Sequence, residues 1–234
     1  MGARRVGGFS GFSPAALTFL RDLATHNEKP WFEANRAVYE TEVKQVSAAL
    51  IAAVTDALRQ AELPLEGDAK RSPYRIHRDT RFSKDKSPYK THAGMIWYRQ
   101  GGAGHGSGVL YFHLQPDACF AGAAFYMPDP ETLDSVRERI RVQPEAFLAM
   151  EQALGAKKLA LETEGGLSRM PRGFEDLAGS PVAGALKLKS FVLRRKLTER
   201  AVHSSALVGD IVAMAADSLP LLRFGWAAID EVRR

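Results

Sequence analysis

Apolar positions at helical spacing open the chain. Leu17, Leu20, Leu23 and Ala24 share one face behind Phe12-Ser13-Pro14, which predicts a helix capped by Ser13, with Pro14 in its first turn and Phe12 stapled onto Leu17. A second, long helix is predicted from near Asn27 to Leu63-Pro64. It has Pro30 in its first turn and Phe32, Tyr39, Val43, Val46, Leu50, Val54 and Leu58 on one side. From Glu66 to Thr91 the periodicity lapses into charges and two Ser-Pro pairs, Ser72-Pro73 and Ser87-Pro88. That pattern predicts a structured loop with a short extended piece around Tyr74 to Thr80.

Strand patterns follow. Met95 to Tyr98, Val109 to Leu114 and Cys119 to Tyr126 predict a sequential antiparallel meander. Gly101, Gly102, Gly104, Gly106 and Gly108 lie in its first connection and Gln115-Pro116-Asp117 in its second. Asp129-Pro130 opens a helix carrying Leu133, Val136 and Ile140, and Phe147, Met150 and Leu154 mark another after Pro144, closed by Gly155. Lys158 to Thr163 and Leu188 to Leu197 are further strand candidates. Two helices are predicted at the end, one from about Ser205 to Leu219 and one from Pro220 with Trp226 and Ile229. Strands flanked by runs of helices, without a linker or repeat, argue for a single α+β domain over residues 1–234, an antiparallel sheet packed with helices.

Composition narrows the class. With 234 residues, 45% hydrophobic and 25% charged, the chain has the balance of an ordinary globular protein, which excludes disorder, collagen-like repeats and small disulfide scaffolds. A lone cysteine, Cys119, cannot form an internal disulfide and sits among Ala118, Phe120 and Ala121, which predicts a buried, inert thiol. Arg4 and Arg5 precede an apolar stretch too short for a signal peptide, and Val6 stands where a myristoylation signal needs Ser or Thr. The expectation is a cytoplasmic protein without a membrane partner. Its net charge of +5 and isoelectric point near 9.4 direct attention to anionic partners.

Much of that charge is concentrated. Between Arg75 and Lys90, six cations (Arg75, Arg78, Arg81, Lys84, Lys86, Lys90) face Asp79 and Asp85, leaving +4. Strand alternation sends Arg75, His77, Asp79 and Arg81 to one side and Ile76, Arg78, Thr80 and Phe82 to the other. Guanidinium forks match phosphate or carboxylate oxygens, and gathering several costs repulsion that an anion would relieve. The expected ligand site is therefore Arg75, Arg78, Arg81 and Lys86 with Tyr89 as a hydrogen-bonding wall. Convergence of the three arginines requires a break in the strand near Asp79. Should the site be catalytic, Asp79 is the first candidate for general base or metal contact. The competing reading is a solvated network in which Asp79 and Asp85 pair with the arginines.

Other motifs fall short. His77-Arg78-Asp79 imitates a kinase catalytic loop, but Lys84 replaces the required Asn and no Asp-Phe-Gly follows. The glycines after Arg99 lack the Lys-Ser or Lys-Thr of a phosphate-binding loop. Ser83 with Lys86 and Ser87 with Lys90 match Ser-x-x-Lys without its partner motifs, and Pro88 disfavours a helix at Ser87. His26, His77, His92, His105, His113 and His203 show no helical i,i+4 pairing, so no metal ligand set is read and the cofactor stays unknown. A second run (Lys187, Lys189, Arg194, Arg195, Lys196 and Arg200 against Glu199) has net +5. Together the two runs support the alternative of a nucleic-acid-binding or protein-interaction module, with Phe82, Tyr89 and Phe191 placed for stacking.

The basic segment also resembles a known family. Arg75, Arg78-Asp79, Arg81-Phe82, Asp85-Lys86 and Tyr89 resemble the signature of the bacterial domain-of-unknown-function 2461 family. So do Phe9-Ser10-Gly11-Phe12, the spacing of Asn27, Trp31-Phe32 and Tyr39, and Arg169-Met170-Pro171-Arg172-Gly173-Phe174. His77 departs from the Tyr expected there. The resemblance covers nearly the whole chain and implies a shared fold; it carries no established activity.

Overall fold

A computed structural model describes residues 8–102 and 108–232. The sequence features at Arg4 to Val6 and the glycines and His105 within 103–107 lie outside the described residues. The chain divides into two compact units, Met1–Trp97 with Tyr111–Ala121 and Lys196–Ala213, and Tyr98–Leu110 with Gly122–Arg195 and Met214–Arg234. Its architecture is α+β. A five-stranded antiparallel sheet has the order β1 (Leu65–Glu66), β2 (Ala93–Arg99), β3 (Val109–Leu114), β4 (Phe120–Phe125), β5 (Phe191–Lys196). The predicted meander is β2-β3-β4. β3 alternates cleanly, burying Leu110, Phe112 and Leu114, whereas β2 and β4 are buried through their centres, as continuous apolar runs require.

In the first unit, α1 (Pro14–Thr25) is capped as expected, the Ser13 side chain accepting from the Ala16 amide. The predicted single helix after Asn27 is instead α2 (Lys29–Ala34), α3 (Arg36–Val38), a π-helical stretch (Tyr39–Lys44) and α4 (Gln45–Gln60). The stretch shifts register, so Tyr39 is half-buried while Val43, Leu50, Val54 and Leu58 stay in the core. Phe9, Phe12 and Phe32 are fully buried there, and Trp97 donates Nε1–H to the Ile51 carbonyl at 3.3 Å. Gly11 is obligatory: its φ is +114°, and a Cβ would lie 2.4 Å from the His203 backbone. Cys119 is buried as predicted, its thiol donating to the Gln115 carbonyl at 3.1 Å, and burial raises its pKa.

In the second unit, α5 (Pro130–Val142) starts at Asp129, whose carboxylate accepts from the Thr132 amide. α6 (Pro144–Ala156) runs one residue past Gly155, and Lys158 at φ +57° takes the left-handed turn expected of that glycine. Lys158 to Thr163 is not a strand. Only Glu162 bonds to β5, through the Val192 carbonyl at 2.9 Å, because the Leu159 amide is still closing α6. α7 (Ala183–Leu186) is short; α8 (Glu199–Val202) returns to the first unit, where the last helix begins. The two expected C-terminal helices are one, α9 (Ala206–Val232), with Pro220 inside. Proline costs a helix roughly 3 kcal/mol. Burial of Leu221, Leu222, Trp226 and Ile229 beyond it offsets that cost. Buried Arg137 donates to the carbonyls of Leu186 at 2.9 Å and Leu188 at 3.0 Å, fixing the turn after α7.

Candidate functional site

The basic segment leaves β2 as a ribbon. Ile96 donates to Ser72, Tyr74 to Gly94, Lys90 to Ile76 and Arg78 to Pro88, all backbone bonds of 2.8–3.1 Å. His77 therefore lies opposite Tyr89 in an antiparallel bridge. The Arg78–Pro88 pair can make only one of its two ladder bonds because proline has no N–H. The ladder stops there, and residues 79–87 form an open tip.

The return strand of the ribbon is anchored by a side chain. Asn27, just past the end of α1, donates Nδ2–H to the Tyr89 carbonyl at 2.9 Å and accepts the Tyr89 amide at 3.0 Å. Its carboxamide thus substitutes for a neighbouring strand. The Tyr89 ring is 3% exposed and stacks on Phe32 at 4.2 Å, which clamps the ribbon to α2.

A cavity of about 320 Å³ opens beside this anchor, with Arg78, Asp85, Ser87, Tyr89, Lys90 and His92 among its lining. Arg78 donates to Asp85 and to the Ser87 carbonyl at 3.1 Å. Hydrogen bonds from the Ser87 hydroxyl and amide, then from Arg78, hold the Asp85 carboxyl at about 2. Lys90 makes no ion pair among the described residues; its ammonium lies 5.1 Å from the centre of the Tyr74 ring. Burial, then repulsion from Arg75, lowers its pKa. His92 is brought down to about 4, chiefly by burial, then by His113 and Lys90. At neutral pH it is an uncharged imidazole. It stacks on His113 at 4.4 Å, and His113 spans Tyr111 Oη and Gln115 Oε1 at 2.8 Å each. With Gln115 Oε1 as acceptor, His113 carries its proton on Nε2.

Of the site expected from sequence, Arg78 and Tyr89 line this cavity. Arg75 is exposed and acts on Asp79 and Lys90 through its charge. Arg81, 77% exposed at its side chain, forks onto Asp79 at 3.0 and 2.7 Å. Lys86 donates to the Thr80 carbonyl at 2.9 Å, closing the tip. Alternation thus divides the arginines: Arg78 turns to Asp85, while Arg81 shares Asp79 with the field of Arg75. Asp79 is held ionised by the Arg81 side chain and amide, which weakens it as a base. Lys90 was in the basic run without being singled out, and His92 carried no motif. Asn27 had a signal only as part of the family spacing.

The fold is an antiparallel α+β one, and Arg78 and Lys90 line the cleft beside its ribbon. The chain belongs to the family described as conserved hypothetical protein (DUF2461), which matches residues 15–224. No curated protein and no solved structure matches it.

Proposed function

We propose that the first unit's cleft binds a small anion, a phosphate-bearing or carboxylated ligand, between Arg78 and Lys90. The observation that carries this reading is Lys90, a partly buried ammonium with no carboxylate partner among the described residues, repelled by Arg75 and placed in the same cavity as Arg78. An anion would offset both burial and repulsion. Tyr89 supplies a fixed wall, Arg75 adds to the field, and Arg81 and Lys86 on the tip would have to exchange Asp79 and the Thr80 carbonyl for a longer anion. Asp79 orders Arg81, and a reaction at this site would take its proton acceptor from the neutral His92. The single buried cysteine suits a cytoplasmic setting.

One observation favours a second reading, a nucleic-acid or protein contact made by the tip. Phe82 is 95% exposed there, with the Arg81 guanidinium 5.7 Å from its ring centre. Titration with inorganic phosphate separates the two. The native chain is expected to rise in thermal midpoint, with stabilisation of about 2.7 kcal/mol at a hundredfold excess over Kd, and Arg78→Ala and Lys90→Ala to lose most of the rise. Equal rises in all three chains, or none in the native one, would remove the cleft. Binding to single-stranded oligonucleotides that weakens steeply with salt and depends on Phe82 would establish the tip.

A further inference from the structure

The second unit holds a cavity of a different kind. It measures about 320 Å³, at the small end of the roughly 300–1,000 Å³ typical of ligand sites. Leu154, Leu159, Leu161 and Leu188 supply aliphatic walls; Glu151 is the one charged residue in the lining. We propose that this cavity binds a small aliphatic primary amine, the alkyl chain against the leucines and the ammonium on Glu151.

Three observations converge on that occupant. The first is the pair of helical glycines at the rim, Gly155 in α6 and Gly184 in α7. A Cβ at either would meet nothing within 4 Å, and neither has a positive φ. Both glycines therefore leave the rim of the cavity open, and a side chain at either would narrow it. The second is Glu151, half-buried, with no ion pair or hydrogen bond among the described residues. Burial raises its pKa, and an incoming cation with N–H donors would offset that burial and satisfy its oxygens. The third is the absence of any aromatic ring from the lining. Quaternary ammonium groups are recognised by aromatic cages, so these walls suit an alkyl chain ending in a hydrogen-bonding ammonium. The site is also preformed, since Arg137 pins the Leu188 carbonyl and thereby one wall.

Calorimetric titration of the full chain with n-hexylammonium, hexan-1-ol and hexanoate at neutral pH tests this. Saturable one-to-one binding of hexylammonium is expected, at least about tenfold tighter than hexanol, with hexanoate silent. Glu151→Gln, close in shape to the native residue, should remove that tenfold preference and leave hexanol binding unchanged. Gly184→Leu, checked for folding by its thermal midpoint, should abolish binding of both; if it fails to fold, Gly155→Ala replaces it and should weaken both. Equal affinity for amine and alcohol, indifference to Glu151→Gln, or no saturable binding overturns the proposal. None of these outcomes bears on the phosphate response of the other unit.

Discussion

The two cavities have the same volume and opposite walls. In the first unit the space is framed by Arg78, Asp85, Lys90 and His92, on a ribbon where Arg78, Asp85 and Ser87 bond to one another and Lys90 has no ion pair among the described residues. In the second it is framed by Leu154 at the end of α6 and by leucines of the segments that follow α6 and α7, with a single carboxylate. The difference teaches how each shape is held. A short ribbon with a proline-truncated ladder cannot hold its own geometry, so Asn27, Ser87 and Asp85 supply bonds that a longer strand pair would have made. The aliphatic cavity rests on packed helices and one deeply buried guanidinium.

Arginine substitutions test that contrast most sharply. Arg137→Ala should lower stability by about 3 kcal/mol in urea unfolding, because it strips two buried carbonyls of their donor. Arg78→Ala removes a side chain that is 26% exposed and faces water-accessible partners, and should cost less than about 1 kcal/mol. Similar losses would mean that the ribbon is as rigidly built as the helical unit.

Asn27→Ala is expected to cost about 1–2 kcal/mol by leaving the Tyr89 amide and carbonyl without partners, and to blunt the phosphate response as well. Retention of both properties would show that the ribbon holds its place without the carboxamide.

The third contrast is one of pH. His92 titrates near 6.5 in the unfolded chain and at about 4 when folded, so between these values the unfolded chain binds the additional proton. Stability from this group is therefore complete above about 6.5 and declines as pH falls towards 4. Thermal midpoints at pH 7.5, 5.5 and 4.5 should show a decline that is shallower in His92→Asn. Glu151, whose pKa is raised, acts in the opposite sense, gaining stability on acidification; Glu151→Gln should remove that gain.

The smallest effect belongs to the tip. Phe82→Ala should change stability by less than about 0.5 kcal/mol, since almost the whole ring already faces solvent. A larger loss would place the ring in contacts that the exposed tip does not provide.

The sequence displayed what local chemistry determines. Ser13 and Asp129 announced helix starts, the alternation of Leu110, Phe112 and Leu114 announced β3, and the charged Ser-Pro segment announced a loop. It concealed whatever depends on distant partners. Pro220 reads as a stop, yet apolar burial on its far side carries α9 through. Lys158 to Thr163 has strand-like residues but too few partners along β5. The cleft itself was half legible: Arg78 and Tyr89 line it, but the expected gathering of Arg75, Arg78 and Arg81 is not seen, Arg78 pairing with Asp85 and Arg81 with Asp79. Membership of His92 rests on its stack with His113, and that of Lys90 on the return path of the ribbon, neither of which has a spacing rule.

The basic run that ends β5 has a consequence for self-association. β5 lies at one flank of the sheet and β1, only two residues long, at the other. Flank strands invite another chain to add to them, the first step in edge-to-edge aggregation. On β5 the Val192 carbonyl is already taken by Glu162, and the strand then turns to Arg194, Arg195 and Lys196, with Arg194 tied to Glu162 and Arg195 to Asp217. A chain docking there would have to bury tethered cations. The charges that suggest a nucleic-acid surface in the sequence would thus also make strand addition at this flank costly.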